Sequence, residues 1–160
     1  MADISRRQFL RGDFRGRQAA PLRPPWARAE PAFRAACTRC AECIGACPQH
    51  IIAADQERRP VVDFSRGECT FCGKCVEVCA PRALDQIGGE PPWRLKARIR
   101  NDCLARQNVV CRSCGDACPA QAIRFRPQPM AAALPEVDEA GCTGCGACSA
   151  PCPAKAISLA

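Results

Sequence analysis

The chain's 160 residues can form one domain or two very small ones, and Leu, Ile, Val and Phe together number only 28, too few for a conventional apolar core. Sixteen Cys take over that role, because small folds with thin cores are stapled by disulfides or metals. The formal charge of +7 invites a nucleic-acid partner, but six Phe, two Trp and no Tyr leave little to stack on bases, and no apolar run of about 18 residues could span a membrane.

Residues 1–35 read as a basic, mostly irregular tail, in which eight Arg face Asp3, Asp13 and Glu30. Its start, Ile4-Ser5-Arg6-Arg7-Gln8-Phe9, has the twin arginine of an export signal. Charged Arg11, Asp13, Arg15 and Arg17 then follow where such a signal needs about 7 to 15 apolar residues, so the expectation is a protein that stays in the cytoplasm. Locally, Ser5 at the N-cap with Gln8 at N3 makes a capping box, Ile4 and Phe9 make the accompanying hydrophobic staple, and Gly12 stops the helix. Two helical turns are not stable alone. This basic helix therefore either packs on the body or docks on a partner through Arg6, Arg7 and Phe9.

The first folded unit is expected over residues 36–86. Cys37-x2-Cys40-x2-Cys43-x3-Cys47-Pro48 is followed by Cys69-x2-Cys72-x2-Cys75-x3-Cys79, and Pro60-Val61-Val62-Asp63 between them reads as a short strand. Gly88-Gly89-Glu90-Pro91-Pro92-Trp93 breaks the pattern, so residues 87–98 read as a linker whose end, Arg94 to Arg100, alternates like a half-exposed strand. A second unit is expected over residues 99–160. There Cys111-x2-Cys114-x3-Cys118-Pro119 lacks its first thiolate, which Cys103 supplies from upstream, and Cys142-x2-Cys145-x2-Cys148-x3-Cys152-Pro153 follows a strand at Pro135-Glu136-Val137-Asp138. Five residues beyond the last Cys of each motif stands a large aliphatic: Ile52, Leu84, Ile123 and Ile157. Each is expected on one turn of helix that lays it over a metal site.

Three thiolates spaced two residues apart wrap one corner of a cubane, and the fourth, three residues on, reaches a second cluster. Four such motifs predict four [4Fe-4S] clusters. A zinc ribbon would space its Cys as separated pairs, and a disulfide scaffold gives no reason for CxxCxxCxxxCP to recur. His50, the single histidine, is expected at the surface or at a helix cap, since each cluster already has four Cys. Pairing motif one with two, and three with four, assigns Cys37, Cys40, Cys43 and Cys79 to cluster 1 and Cys69, Cys72, Cys75 and Cys47 to cluster 2. Cluster 3 then takes Cys103, Cys111, Cys114 and Cys152, and cluster 4 takes Cys142, Cys145, Cys148 and Cys118. A nested pairing, one with four and two with three, also fits the spacing. The fold class is α+β: two tandem bacterial-ferredoxin-like units behind the basic tail. A charge of about −2 per oxidised cluster leaves the body acidic, which removes the support for nucleic-acid binding.

Taken together, Ser5-Arg6-Arg7, Arg23-Pro24-Pro25-Trp26, the four Cys motifs with the long gap from Cys103 to Cys111, and Ile123-Arg124-Phe125-Arg126-Pro127 resemble the NapF-type ferredoxins. These are accessory iron–sulfur proteins of the periplasmic nitrate reductase system. The resemblance implies a cytoplasmic iron–sulfur protein that binds the immature catalytic subunit of the periplasmic nitrate reductase before export and assists its maturation, by loading or reducing its cluster. Ala80, between Cys79 and Pro81, departs from the general ferredoxin pattern. A second class of function, an electron-transfer subunit or soluble redox carrier of a multi-subunit oxidoreductase, would use the same cysteines. Neither class calls for catalytic residues, and no base, nucleophile or substrate pocket is visible in the sequence.

Overall fold

The computed structural model describes residues 21–86 and 89–160. The capped helix expected at Ser5, with Arg6, Arg7 and Phe9, lies outside the described residues. The elements are short: α1 Glu30–Ala36, α2 Glu42–Gly45, β1 Ile52–Ala54, β2 Pro60–Val62, α3 Lys74–Glu77, β3 Ala97–Ile99, a 3-10 helix Leu104–Gln107, α4 Ser113–Asp116, β4 Ile123–Gln128, β5 Ala131–Val137 and β6 Ile157–Leu159. Among the described residues no helix is long and apolar enough to cross a membrane.

The cysteine motifs set the local backbone. In motifs one, two and four the chain curls through two positive-φ residues, Arg39 and Ala41, Phe71 and Gly73, and Gly144 and Gly146. In the first two, a single helical turn, α2 or α3, then presents the buried Cys43 or Cys75. After the last Cys of every motif the chain makes a tight turn. The N–H three residues on returns to the Cys carbonyl at 2.9 to 3.0 Å, and His50, Arg82, Gln121 and Lys155, at φ of 48 to 52°, complete it. Ala80 in place of Pro leaves this turn intact, since Arg82 N–H still bonds the Cys79 carbonyl at 2.9 Å.

That turn corrects one expectation. A left-handed residue ends any helical run, so the aliphatics that follow begin extended chain instead. Ile52, Ile123 and Ile157 open β1, β4 and β6, and Leu84 forms an isolated antiparallel bridge with Ala27. All four are buried, as a role over a metal site requires.

Three two-stranded antiparallel sheets result. β1 pairs with β2 (Ile52 opposite Val62) and β4 with β5 (Ile123 opposite Val137), each joining the exit of one motif to the approach of the next. β3 pairs with β6, Ile99 opposite Ile157. In the first unit the Ala27–Leu84 bridge fills the same place.

Of the tail expected over residues 1–35, the described part from residue 21 onward packs on the first unit. Arg28 N–H bonds the Ala83 carbonyl (3.1 Å), Asp85 N–H bonds that of Trp26 (2.9 Å) and Val62 N–H that of Leu22 (2.7 Å). Phe33 on α1 is fully buried in the first core with Ile51, Ile52, Val62, Phe64 and Leu84. Arg23 lies over the Phe33 ring at 4.8 Å and donates to Glu30, Asp55 and the Pro60 carbonyl. A basic segment rich in Pro is here a strap, because its backbone donors and acceptors are spent on the unit it crosses. The linker is likewise built in: Trp93 and Leu95 pack on the first core, and Ala97 is buried in the second beside Ile123 and Ile157.

Candidate metal centres

Four small pockets open in the protein, each with four cysteines in its wall. Cys37, Cys40, Cys43 and Cys79 border site 1. Cys47, Cys69, Cys72 and Cys75 border site 2. Site 3 is bordered by Cys103, Cys111, Cys114 and Cys152, and site 4 by Cys118, Cys142, Cys145 and Cys148. Three cysteines come from one motif of a unit, or for site 3 from motif three together with Cys103, and the fourth comes from the other motif. A nested arrangement would seat Cys79 beside motif three; here it sits with motif one. Each wall also holds the aliphatic that follows its fourth cysteine: Leu84 at site 1, Ile52 at site 2, Ile157 at site 3 and Ile123 at site 4.

No disulfide joins any of the sixteen cysteines. Among the described residues no three Cys, His, Asp or Glu side chains converge on a point where one ion could sit. Three sulfurs from one motif and a fourth from its neighbour suit an inorganic cluster, whose fourth ligand is supplied across a pair of motifs. His50 is exposed and borders none of the four cavities.

Burial, reinforced by neighbouring cysteines, pushes the Cys75 and Cys148 thiols up to about 12 and those of Cys43 and Cys114 up to about 11. Cys69 also rises to about 11 through burial, partly offset by the Phe71 amide. Without metal these five cysteines are therefore neutral thiols, and loading metal must expel their protons. Backbone amides are placed to accept the resulting sulfur charge. Leu84 N–H points at Cys79 Sγ, Ala122 N–H at Cys118 Sγ and Ala156 N–H at Cys152 Sγ, each at 3.3 Å, and Phe71 N–H at Cys69 Sγ at 3.4 Å. Hydrogen bonds to sulfur are one of the levers that set cluster potentials.

Site 3 is assembled differently. α4 starts directly after Arg112, with no left-handed curl before Cys114. Cys103 reaches the cavity from the N-cap of the 3-10 helix, which Asn108 ends at φ of 63°. Asn108 Oδ1 accepts the Ala132 N–H at 2.7 Å, fastening this excursion to β5. The gap in the motif signals the excursion, but nothing in the spacing announces the fastening. Sequence reasoning also missed Phe33 and Pro25, which line sites 1 and 2 from the segment read as tail.

Models of the 4Fe-4S dicluster domain match residues 36–84 and 109–156. The chain is 40% identical to ferredoxin-type protein NapF of Escherichia coli strain K12, over 98% of this chain and 94% of that protein. It is 41% identical to ferredoxin-type protein NapF of Haemophilus influenzae over the same shares. Ferredoxin-type protein NapG of H. influenzae is 32% identical over 85% of this chain and 56% of its own length.

Proposed function

The chain belongs to the NapF family of ferredoxin-type iron–sulfur proteins, and from that premise we propose that it is a cytoplasmic polyferredoxin with four [4Fe-4S] clusters that assists maturation of the catalytic subunit of the periplasmic nitrate reductase before export. The observation that carries the cofactor count is the set of four separate cavities, each walled by four cysteines and a buried aliphatic. Cys37, Cys40, Cys43 and Cys79 would hold one cluster, and the other three foursomes one each. When bound, the clusters supply one-electron chemistry.

The chain's own residues prepare for that. Ile52, Leu84, Ile123 and Ile157 keep water from the sulfurs, and the amides of Leu84, Ala122 and Ala156 stabilise sulfur charge. Cys40 and Cys72 are exposed while no cysteine of the second unit is, which supports electron delivery from the first unit as the assistance given. Arg6, Arg7 and Phe9 are the docking residues of this reading, since an Arg fork can bind carboxylates bidentately.

The test is made in cells and in a pull-down. The immature catalytic subunit, still carrying its export signal, is expected to co-purify with the full chain and to be lost on Arg6→Ala with Arg7→Ala. Without the chain, the cytoplasmic subunit should accumulate with its own cluster absent or oxidised. Normal cluster content and redox state in that subunit would overturn the maturation role.

A further inference from the structure

The loops of motifs two and four meet directly. Cys69 N–H donates to the Cys145 carbonyl at 2.8 Å, so two cysteine-bearing loops from different units share a hydrogen bond. Phe64 lies flat against Gly146, where any Cβ would overlap the ring and where φ is +83°. Glycine is needed there for both reasons. Trp93 donates its indole N–H to the Thr143 carbonyl at 3.2 Å. The same ring stands edge-on to Phe64 and to Phe71, with centroids 5.7 Å away in each case. Phe71 is itself part of the wall of site 2.

Inside each unit the adjoining sites share a core. Cys43 of site 1 and Cys75 of site 2 belong to one buried cluster, and Cys114 of site 3 and Cys148 of site 4 to another. Sites 2 and 4 thus face the junction, and sites 1 and 3 stand behind them.

We propose that the four metal sites form one unbranched series in the order 1, 2, 4, 3, with the hydrogen-bonded loops of Cys69 and Cys145 as the passage between the units. The series rests on the cofactor reading above and adds to it an order that differs from the order along the chain. With clusters held by these cysteines, each transfer would take one electron from a reduced cluster to its oxidised neighbour, with no bond made or broken.

The test uses the full chain, prepared anaerobically, with iron and sulfide counted before reduction by dithionite. Electron paramagnetic resonance then reads the splitting that adjacent reduced sites impose on each other, with Cys145→Ser identifying the site 4 signal. Cys72→Ser, directed at site 2, should abolish the splitting of site 4 by the first unit; Cys40→Ser, directed at site 1, should leave it. The reverse pattern overturns the order, as does a site 4 signal indifferent to Cys72→Ser. Because ligand variants can unfold a unit, Phe64→Ala provides a second arm with every cysteine in place. Iron at about sixteen per chain, loss of the splitting between units and faster hydrogen exchange at the Cys69 amide are expected. Unaltered splitting and exchange in that variant overturn the passage. A wild-type count far below sixteen brings down the cofactor reading and the order with it, whereas a full count with the wrong pattern removes the order alone.

Discussion

The two units carry one cysteine plan and close it with different material. In the first, the strand partner that follows the fourth cysteine of site 1 comes from upstream, as the Trp26–Arg28 strap held by Phe33 and Arg23. In the second, it is β3, continuous with the joint between the units. Between motifs the first unit has strands of three residues, the second a hairpin of six and seven with a bulge between Arg126 and Gln128. The difference teaches that the ligand loops require an antiparallel partner at each end and little else. What provides the partner is free to vary, and with it the way each unit can be broken.

The largest effect erases the comparison. Stripping metal with a chelator should unfold both units, because the cysteine pockets replace most of an ordinary core and metal binding is then folding energy. Far-ultraviolet circular dichroism should lose its cooperative transition; a metal-free chain that still melts sharply would contradict this.

Next, Phe33→Ala separates the units. Truncating a fully buried Phe costs about 3 to 5 kcal/mol, here charged to the first unit alone. Bleaching of cluster absorbance in denaturant should split into an early first-unit phase and an unshifted second-unit phase. A single phase shifted as a whole would mean that the strap serves both.

A smaller change probes the second unit. Asn108→Gly keeps the left-handed turn but removes the bond to Ala132, at a cost of about 1 to 3 kcal/mol for the orphaned amide. Site 3 should release iron first in this variant. Release from site 4 ahead of site 3 would show that the 3-10 excursion is held by something else.

The smallest effect is acid sensitivity. The Arg23 hydrogen bond holds Glu30 below the usual carboxylate range. Asp55 is also held low, burial being outweighed by the Arg59 amide and Arg23. A depressed carboxylate lends its stability in full above its unfolded value, near 4.5 for Glu30, and loses it as pH falls through the lower folded value. First-unit amide protection should therefore fall below about pH 4.5 in the native protein, and Arg23→Ala should flatten that dependence by about 1 kcal/mol or less. Equal acid response with and without Arg23 would assign the loss elsewhere.

Much of this was legible in the sequence because cysteine spacing is a geometric statement. Three thiols at intervals of two and a fourth before a turn leave few ways to wrap a cavity, and the short strands before motifs two and four were marked by Pro and β-branched residues. The aliphatics after each motif were marked as buried but given the wrong backbone, since nothing in His50, Arg82, Gln121 or Lys155 announces a left-handed residue; Gly or Asn would have. The strap escaped because Leu22 to Arg28 has no apolar period, and its energy lies in backbone hydrogen bonds and in one Arg stacked on Phe33. The junction was invisible for a similar reason. Gly144 and Gly146 lie between the cysteines of motif four, and only the packing of Phe64 and Trp93 shows what they make room for.

The exchange of fourth cysteines has a consequence for how the chain is made. Site 1 lacks a wall until Cys79 has been synthesised, and site 3 until Cys152 has, about seventy residues later. At roughly 5 to 20 residues per second, that leaves about 4 to 15 s in which the first unit can be finished while the second is a string of open thiols. For most of that time the loop of Cys69 and Cys72 has no Cys145 carbonyl to bind. The cysteines of the first unit are thus all in place well before those of the second, and the loop that later joins the units has no partner in between.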